Sequence, residues 1–183
     1  MFILYAVPIG LVLGLLLGGR PAGLATLQFR FGWVMVVGLL VQVVLFSTAV
    51  SDVVGELGPP IYMISTAVVI GSVLLNLRIT GMALVALGAI SNLVAIVLNG
   101  GYMPADAGAM AALGKSAPTT YSNSAILAEP VLKPLTDIFA LPTWVPFANV
   151  FSVGDVLISI GVVVVIVAAM RRPVADLTTT WYV

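Results

Sequence analysis

The stretch FSVGDVLISIGVVVVIVAAM, residues 151–170, decides how the chain is read. It carries one charged side chain, Asp155, near its start and is then apolar as far as Met170, where Arg171 and Arg172 end it. About 20 mostly apolar residues are needed to cross roughly 30 Å of hydrocarbon, so this segment reads as a membrane span. Four more segments pass the same test: 2–19, 31–50, 61–77 and 79–98, each bounded by charge, Pro or Gly. The expected fold is all-α, a polytopic membrane helix bundle of five transmembrane helices in a single membrane domain over residues 1–183. The loop at 99–150 is expected to be partly helical and to cap the outer end of the bundle. Asn76 to Gly81 is short enough to make spans three and four an antiparallel hairpin.

Composition agrees with a chain built for lipid. Of the 183 residues 61% are hydrophobic and 8% charged, with a mean hydropathy of +1.22, whereas soluble domains carry roughly a quarter charged residues. There is no Cys and no His. The chain therefore supplies no thiolate or imidazole ligand for haem, iron–sulfur or zinc, and no Ser–His or Cys–His nucleophile pair. No metal site and no catalytic residue is expected, and bound lipid is the small molecule that the composition implies. A formal charge of zero gives no basic surface for nucleic acid and no acidic tail for a cationic partner.

Orientation follows from the arginines, because short loops rich in Lys and Arg stay cytoplasmic. Arg20 and Arg30 lie in the first connection, Arg78 in the third, and Arg171 with Arg172 after span five. Alternation puts all five on one side, the inside. The expected location is the bacterial cytoplasmic (inner) membrane, N-terminus outside and C-terminus cytoplasmic. Span one lacks a basic region ahead of its apolar run and reads as a retained span, not a signal peptide. Its Gly10, Gly14 and Gly18 make two overlapping G-x-x-x-G steps that let a neighbouring helix approach closely, with internal packing favoured over a dimer contact. Gln42 in span two and Asn92 in span four are expected to bond neighbouring helices.

In the long loop, Asn99, Gly100 and Gly101 suit a left-handed helix stop, and Pro104 can open an Ala-rich helix ending near Gly114. Lys115 to Asn123 reads as a polar turn. Residues 126–147 are apolar but broken by four prolines. With Phe139, Trp144, Phe147 and Phe151 they fit an aromatic belt at headgroup level. Ser152 and Asp155 fit a capping box at the start of span five. The stop after span four and the cap before span five can converge under the loop as an outer-face polar cluster of Asn99, Gly100, Gly101, Asp137, Asn149, Ser152 and Asp155.

Two blocks carry a resemblance: NGGYMP at 99–104, and NVFSVGD at 149–155 preceded by LTDI at 135–138. On these the chain resembles an uncharacterised family of small five-helix bacterial integral membrane proteins. The resemblance implies topology and no mechanism.

Three readings of function follow. The first is a non-catalytic accessory or scaffold subunit that packs against other membrane protein subunits in a larger assembly. The second is a small oligomeric transporter or channel with Gln42, Asn92 and Asp155 on its path. The third, and weakest, is a membrane enzyme using the Asp137 and Asp155 carboxylates for acid–base work.

Overall fold

The computed structural model of the chain describes residues 2–114, 122 and 124–172. Runs rich in Val and Ile favour strands where a partner strand lies alongside. With none alongside, the long apolar runs pair their own N–H and C=O groups by coiling. The helices are α1 (Ala6–Leu16), α2 (Gly32–Leu45), α3 (Thr48–Ser51), α4 (Gly58–Leu74), α5 (Met82–Leu98), α6 (Ala107–Ala112) and α7 (Val153–Met170). Two helical segments, Gly55–Leu74 and Val153–Met170, are long and apolar enough to cross a membrane; Phe2–Leu16, Gly32–Leu45 and Met82–Leu98 are apolar but shorter.

The main packing contacts place these helices in the order α1, α7, α5, α4, α2. The hairpin of α4 and α5 turns at residues 75–81, where Asn76 is buried and acts as a clamp. Its Oδ1 accepts from Arg30 N at 2.8 Å, while its Nδ2 donates to Arg30 O at 2.9 Å and Ser72 O at 2.8 Å. Arg20 N donates to Met170 O at 2.7 Å. These bonds gather the segments that carry Arg20, Arg30, Arg78, Arg171 and Arg172 at one end of the bundle, and all five side chains are exposed there. Two clusters fill the interior between the helices. Val73, Met82, Ala86 and Val165 lie toward the arginine end, and Leu45, Tyr62, Ala95, Ile96 and Met103 toward the other.

The most extensive helix contact is α5 against α7, and it depends on glycine. A Cβ added at Gly161 would meet Val85 N at 2.7 Å and Gly81 O at 2.9 Å; one added at Gly154 would meet Gly88 O at 2.7 Å and run into the Asn92 amide. Gly81 and Gly88 thus face Gly161 and Gly154 across an antiparallel crossing. The pairs are spaced seven residues apart on each helix, which returns them to one face after two turns.

On α1, Gly10 and Gly14 also pack against α7: an added Cβ would meet Ile166 Cβ at 3.0 Å from Gly10, and the Met170 sulfur from Gly14. Gly18 does not belong to this seam. The helix ends at Leu16, and Gly18 has φ +77° with nothing within 4 Å of an added Cβ. Gly18 N donates to Leu15 O at 3.0 Å and Gly19 N to Gly14 O at 2.8 Å, the two bonds that satisfy carbonyls at a left-handed helix stop. Gly14→Leu is expected to lower stability by about 1–3 kcal/mol through overpacking against Met170. Leu15→Val, at a half-exposed position, should stay within about 0.5 kcal/mol. Equal melting temperatures for the two variants would refute the seam.

Other boundaries differ from the sequence expectation for local reasons. The second apolar run breaks after Leu45, where Ser47 donates its hydroxyl to Val44 O at 2.6 Å and α3 begins in a new direction. Helix α4 starts ahead of the expected third span, at Gly58, since Pro59 and Pro60 occupy first-turn positions where a backbone N–H would have no helical partner. Pro104 does not open a helix. Met103–Pro104 is a strand, β1, paired in parallel with β2 (Ser124–Ala125), and α6 begins only after Asp106, whose carboxylate accepts from Ala109 N at 3.1 Å. A second pair, β3 (Phe139–Ala140) with β4 (Val150–Phe151), is antiparallel. The polar turn expected at Lys115 to Asn123 lies outside the described residues except for Ser122. Of the four aromatic residues expected in a belt, Trp144 and Phe147 are 82% and 80% exposed. Phe151 is instead stacked between Phe2, with centroids 4.1 Å apart, and Phe139, at 5.4 Å.

Candidate functional site

The cap end of the bundle collects the polar groups. Helix α7 starts with a capping box: Ser152 Oγ accepts from Asp155 N at 3.0 Å, and Asp155 Oδ2 accepts from Ser152 N at 3.2 Å. Asn92 of α5 reaches into this box. Its Oδ1 accepts from Ser152 Oγ at 2.8 Å and its Nδ2 donates to Asp155 Oδ1 at 2.8 Å. That reach is possible because Gly88 and Gly154 let the helix backbones approach. Ser152 is 0% exposed, so this closed ring of hydrogen bonds sits away from solvent.

Asp137 lies beside the ring. The backbone holds it, with Asp137 N donating to Pro104 O at 2.9 Å and Asp137 O accepting from Asp106 N at 3.0 Å. Its neighbour Thr136 is 1% exposed and donates its hydroxyl to Lys133 O at 2.7 Å. Burial pushes the Asp137 carboxyl up to about 7, with the nearby charge of Asp155 adding to the rise. Asp106 behaves oppositely. The Ala109 N–H holds its carboxyl below the usual value, helped by Lys133, whose Nζ lies 3.4 Å from Oδ2.

The residues expected to converge do so in part. Ser152 and Asp155 share the ring, and Asp137 lies close enough to feel the Asp155 charge. Asn149 donates Nδ2 to Val150 O at 2.6 Å, and its buried Oδ1 has no partner among the described residues. Asn99 works elsewhere: its Nδ2 donates to Ala95 O at 2.7 Å and Val131 O at 2.9 Å, and its Oδ1 accepts from Val131 N at 2.8 Å. Gly100, with φ +73°, and Gly101 complete a helix stop through Gly100 N to Val97 O at 3.4 Å and Gly101 N to Ile96 O at 2.9 Å. An added Cβ on Gly101 would run into Pro59. The NGG block therefore ends α5 and anchors the loop, and it is Asn92 that joins the cap. Gln42 donates Nε2 to Thr66 Oγ1 at 3.1 Å and Ser65 Oγ at 3.4 Å, tying α2 to α4. The sequence reading missed Gly81, Gly88, Gly154 and Gly161 as a seam and Asn76 as a clamp. The seven-residue spacing of both glycine pairs was the available signal.

Chemically, the arrangement offers a carboxyl that titrates near neutrality beside a hydrogen-bonded carboxylate. Ser152 is no nucleophile here, since its hydroxyl donates to an amide oxygen and no base accepts its proton. Among the described residues, no three His, Cys, Asp or Glu side chains gather as metal ligands. Ser152→Ala is expected to cost about 1–3 kcal/mol, because it removes the cap and strands both Asp155 N and Asn92 Oδ1. Asp155→Asn retains one acceptor and should cost about 1 kcal/mol. Chemical denaturation of the purified protein ranks the two, and a larger loss for Asp155→Asn would mean that its charge matters beyond the cap.

No curated protein and no solved structure matches the chain. A family model does match, over residues 26–167, taking in α2 to most of α7 together with the NGGYMP and NVFSVGD blocks. The chain belongs to that family, a family of unknown function (DUF5317).

Proposed function

We propose that the chain is a five-span protein of the bacterial cytoplasmic membrane that serves as a non-catalytic scaffold or accessory subunit of a larger membrane assembly. The observation that carries this reading is the outer surface of the helices. Leu16 is 76% exposed, Val43 68% and Ile64 65%, and the faces that bear them are apolar, while the polar Gln42, Ser65 and Thr66 of α2 and α4 bond to one another. Surfaces of that kind are stable only against lipid or another protein. The three shorter apolar helices reach across with the help of the turns that flank them, such as Phe2–Tyr5 before α1 and α3 after α2.

The accessory role is supported by what the interior lacks. Gln42 bonds to Ser65 and Thr66, Asn92 bonds within the cap, and among the described residues no acid lies midway along a long helix, whereas ion and proton paths use several such groups. Helix α2 is also peripheral. Among the long helices its main contact is α4, which leaves Val36, Leu40, Val43 and Val44 exposed for lipid or for a neighbouring subunit. Purification from the native membrane in mild detergent tests the role. A stoichiometric membrane partner supports it, and a lone homo-oligomer that moves an ion or solute in liposomes overturns it in favour of a transporter.

Orientation rests on the charge division. All described arginines sit at one end, while Asp52, Glu56, Asp106, Asp137 and Asp155 lie in the segments of the other. The positive-inside rule then sets the N-terminus outside. Single cysteines test this, since the chain has no background thiol. Ala128→Cys should react with an impermeant maleimide in intact cells, and Ala22→Cys only after permeabilisation. The reverse pattern would invert the topology.

A further inference from the structure

On the membrane reading above, we propose that α7 carries a specific site for one anionic phospholipid, with an acyl chain along its open face and the phosphate at Arg171. The site is a groove of about 420 Å³ lined by Val163, Val164, Val167, Ala168 and Arg171. The other faces of α7 are occupied: Gly161 and Val165 by α5, and Ile166 and Met170 by the glycine face of α1. At 100° per residue the groove residues form the remaining stripe, bounded by α1 on one side and α5 on the other and uncovered among the described residues.

The stripe has the shape of an acyl-chain track. It runs two turns of helix, roughly 12 Å, its four floor residues are apolar, and its half-buried side chains give it depth. What distinguishes it from the rest of the apolar surface is its foot. Arg171 lines the groove itself, Arg172 follows it, and Arg20 is pinned beside them by the bond from its N–H to Met170 O at 2.7 Å. Among the described residues no Asp or Glu lies in the segments that form this end, 17–31, 75–81 and 171–172. An exposed guanidinium is a forked donor for a phosphodiester, and basic pockets between helices on the cytoplasmic side take anionic headgroups. A zwitterionic lipid would bring its own cation against three arginines, so the charge selects a lipid of net negative charge such as phosphatidylglycerol.

The test uses the full chain in nonionic detergent, titrated with phosphatidylglycerol, phosphatidylcholine or inorganic phosphate and read by native mass spectrometry and thermal melting. Phosphatidylglycerol should give a retained one-to-one adduct and a saturable rise in melting temperature, and the other two should not. R171Q with R172Q should weaken binding by roughly tenfold. Val167→Trp, which fills the groove and keeps the arginines, should weaken it as much while leaving the lipid-free melt near wild type. Arg30→Gln is the control, because Asn76 holds that residue at the turn between α4 and α5. Equal response to phosphatidylcholine, a full response to inorganic phosphate, indifference to Val167→Trp, or equal loss in R30Q would each overturn the site. A dimer that Val167→Trp dissolves would also overturn it, since a second copy would then cover the groove. Failure of the membrane reading looks different: a monodisperse chain without detergent.

Discussion

Gly154→Leu should remove a large share of the stability of the bundle. An added side chain at this position occupies the space of the Asn92 amide and presses on Gly88 O, so α5 and α7 must separate. Overpacking of this kind costs about 1–3 kcal/mol. Displacing Asn92 also removes its two bonds to Ser152 and Asp155, about 1–3 kcal/mol for each buried group left without a partner. Together these reach about 4 kcal/mol or more, a large share of a typical stability of roughly 5–15 kcal/mol. Gly71→Leu provides the contrast. Gly71 is an exposed helical position where an added Cβ meets nothing within 4 Å, and leucine favours helix over glycine by several tenths of a kcal/mol. Yield after detergent extraction and a monodisperse elution profile should be lost in the first variant and kept in the second. Similar behaviour of the two would mean that the close crossing of α5 and α7 is not needed.

A comparably large effect is expected from Asp137→Asn, and it depends on pH. With a folded-state value of about 7 against 3.8 in the open chain, the native protein holds a proton that the unfolded chain has released. The contribution of Asp137 to stability is therefore greatest below about pH 4, falls as pH rises through the window from about 4 to 7, and is level above it. At about 1.4 kcal/mol per pH unit, the whole fall is on the order of 4 kcal/mol, an upper figure because the carboxyl is not wholly cut off from water. Asparagine carries no proton to lose. Asp137→Asn should melt close to wild type near pH 4 and increasingly above it toward pH 8. Asp106 acts outside this window, since its lowered value adds stability that is lost only as the pH falls through that value. Removing the charge of Asp155 should shrink the fall without abolishing it, because burial is the larger cause. A melting temperature with the same pH profile in wild type and Asp137→Asn would show that Asp137 is ionised in the folded state.

The sequence exposes those features whose causes are local. Apolar runs mark the five long helices, the turn at residues 75–81 joins α4 to α5, and the four-residue phrase from Ser152 to Asp155 announces a cap because both partners lie within one turn. Gly100 is readable as a stop for the same reason. Features that need two distant segments stay hidden. Gly88 and Gly154 are informative only once α5 is known to face α7, and the sequential hairpin draws attention to α4, the other neighbour of α5. Strands of two residues such as β1 and β3 contain no alternation to detect, so the β pairing that positions Asp137 leaves no trace in composition. Gly18 misleads because four-residue spacing continues past the point where the helix has already stopped. In the polar cluster, Asp155 and Ser152 were legible through capping and Asp137 through its charge. Asn92 is legible only as an interhelical bond, since its place in the cap depends on the crossing itself.

Helix α7 lies between α1 and α5 in space but follows both in the chain. During synthesis α1 and α5 must therefore wait, their glycine faces uncovered, while the ribosome completes the loop and then α7 at roughly 5–20 residues per second. In that interval the small-residue faces are open to one another and to any helix that passes. A chain halted before Val153 would keep both faces uncovered. Release of α7 is then the step at which the nascent chain becomes a finished bundle.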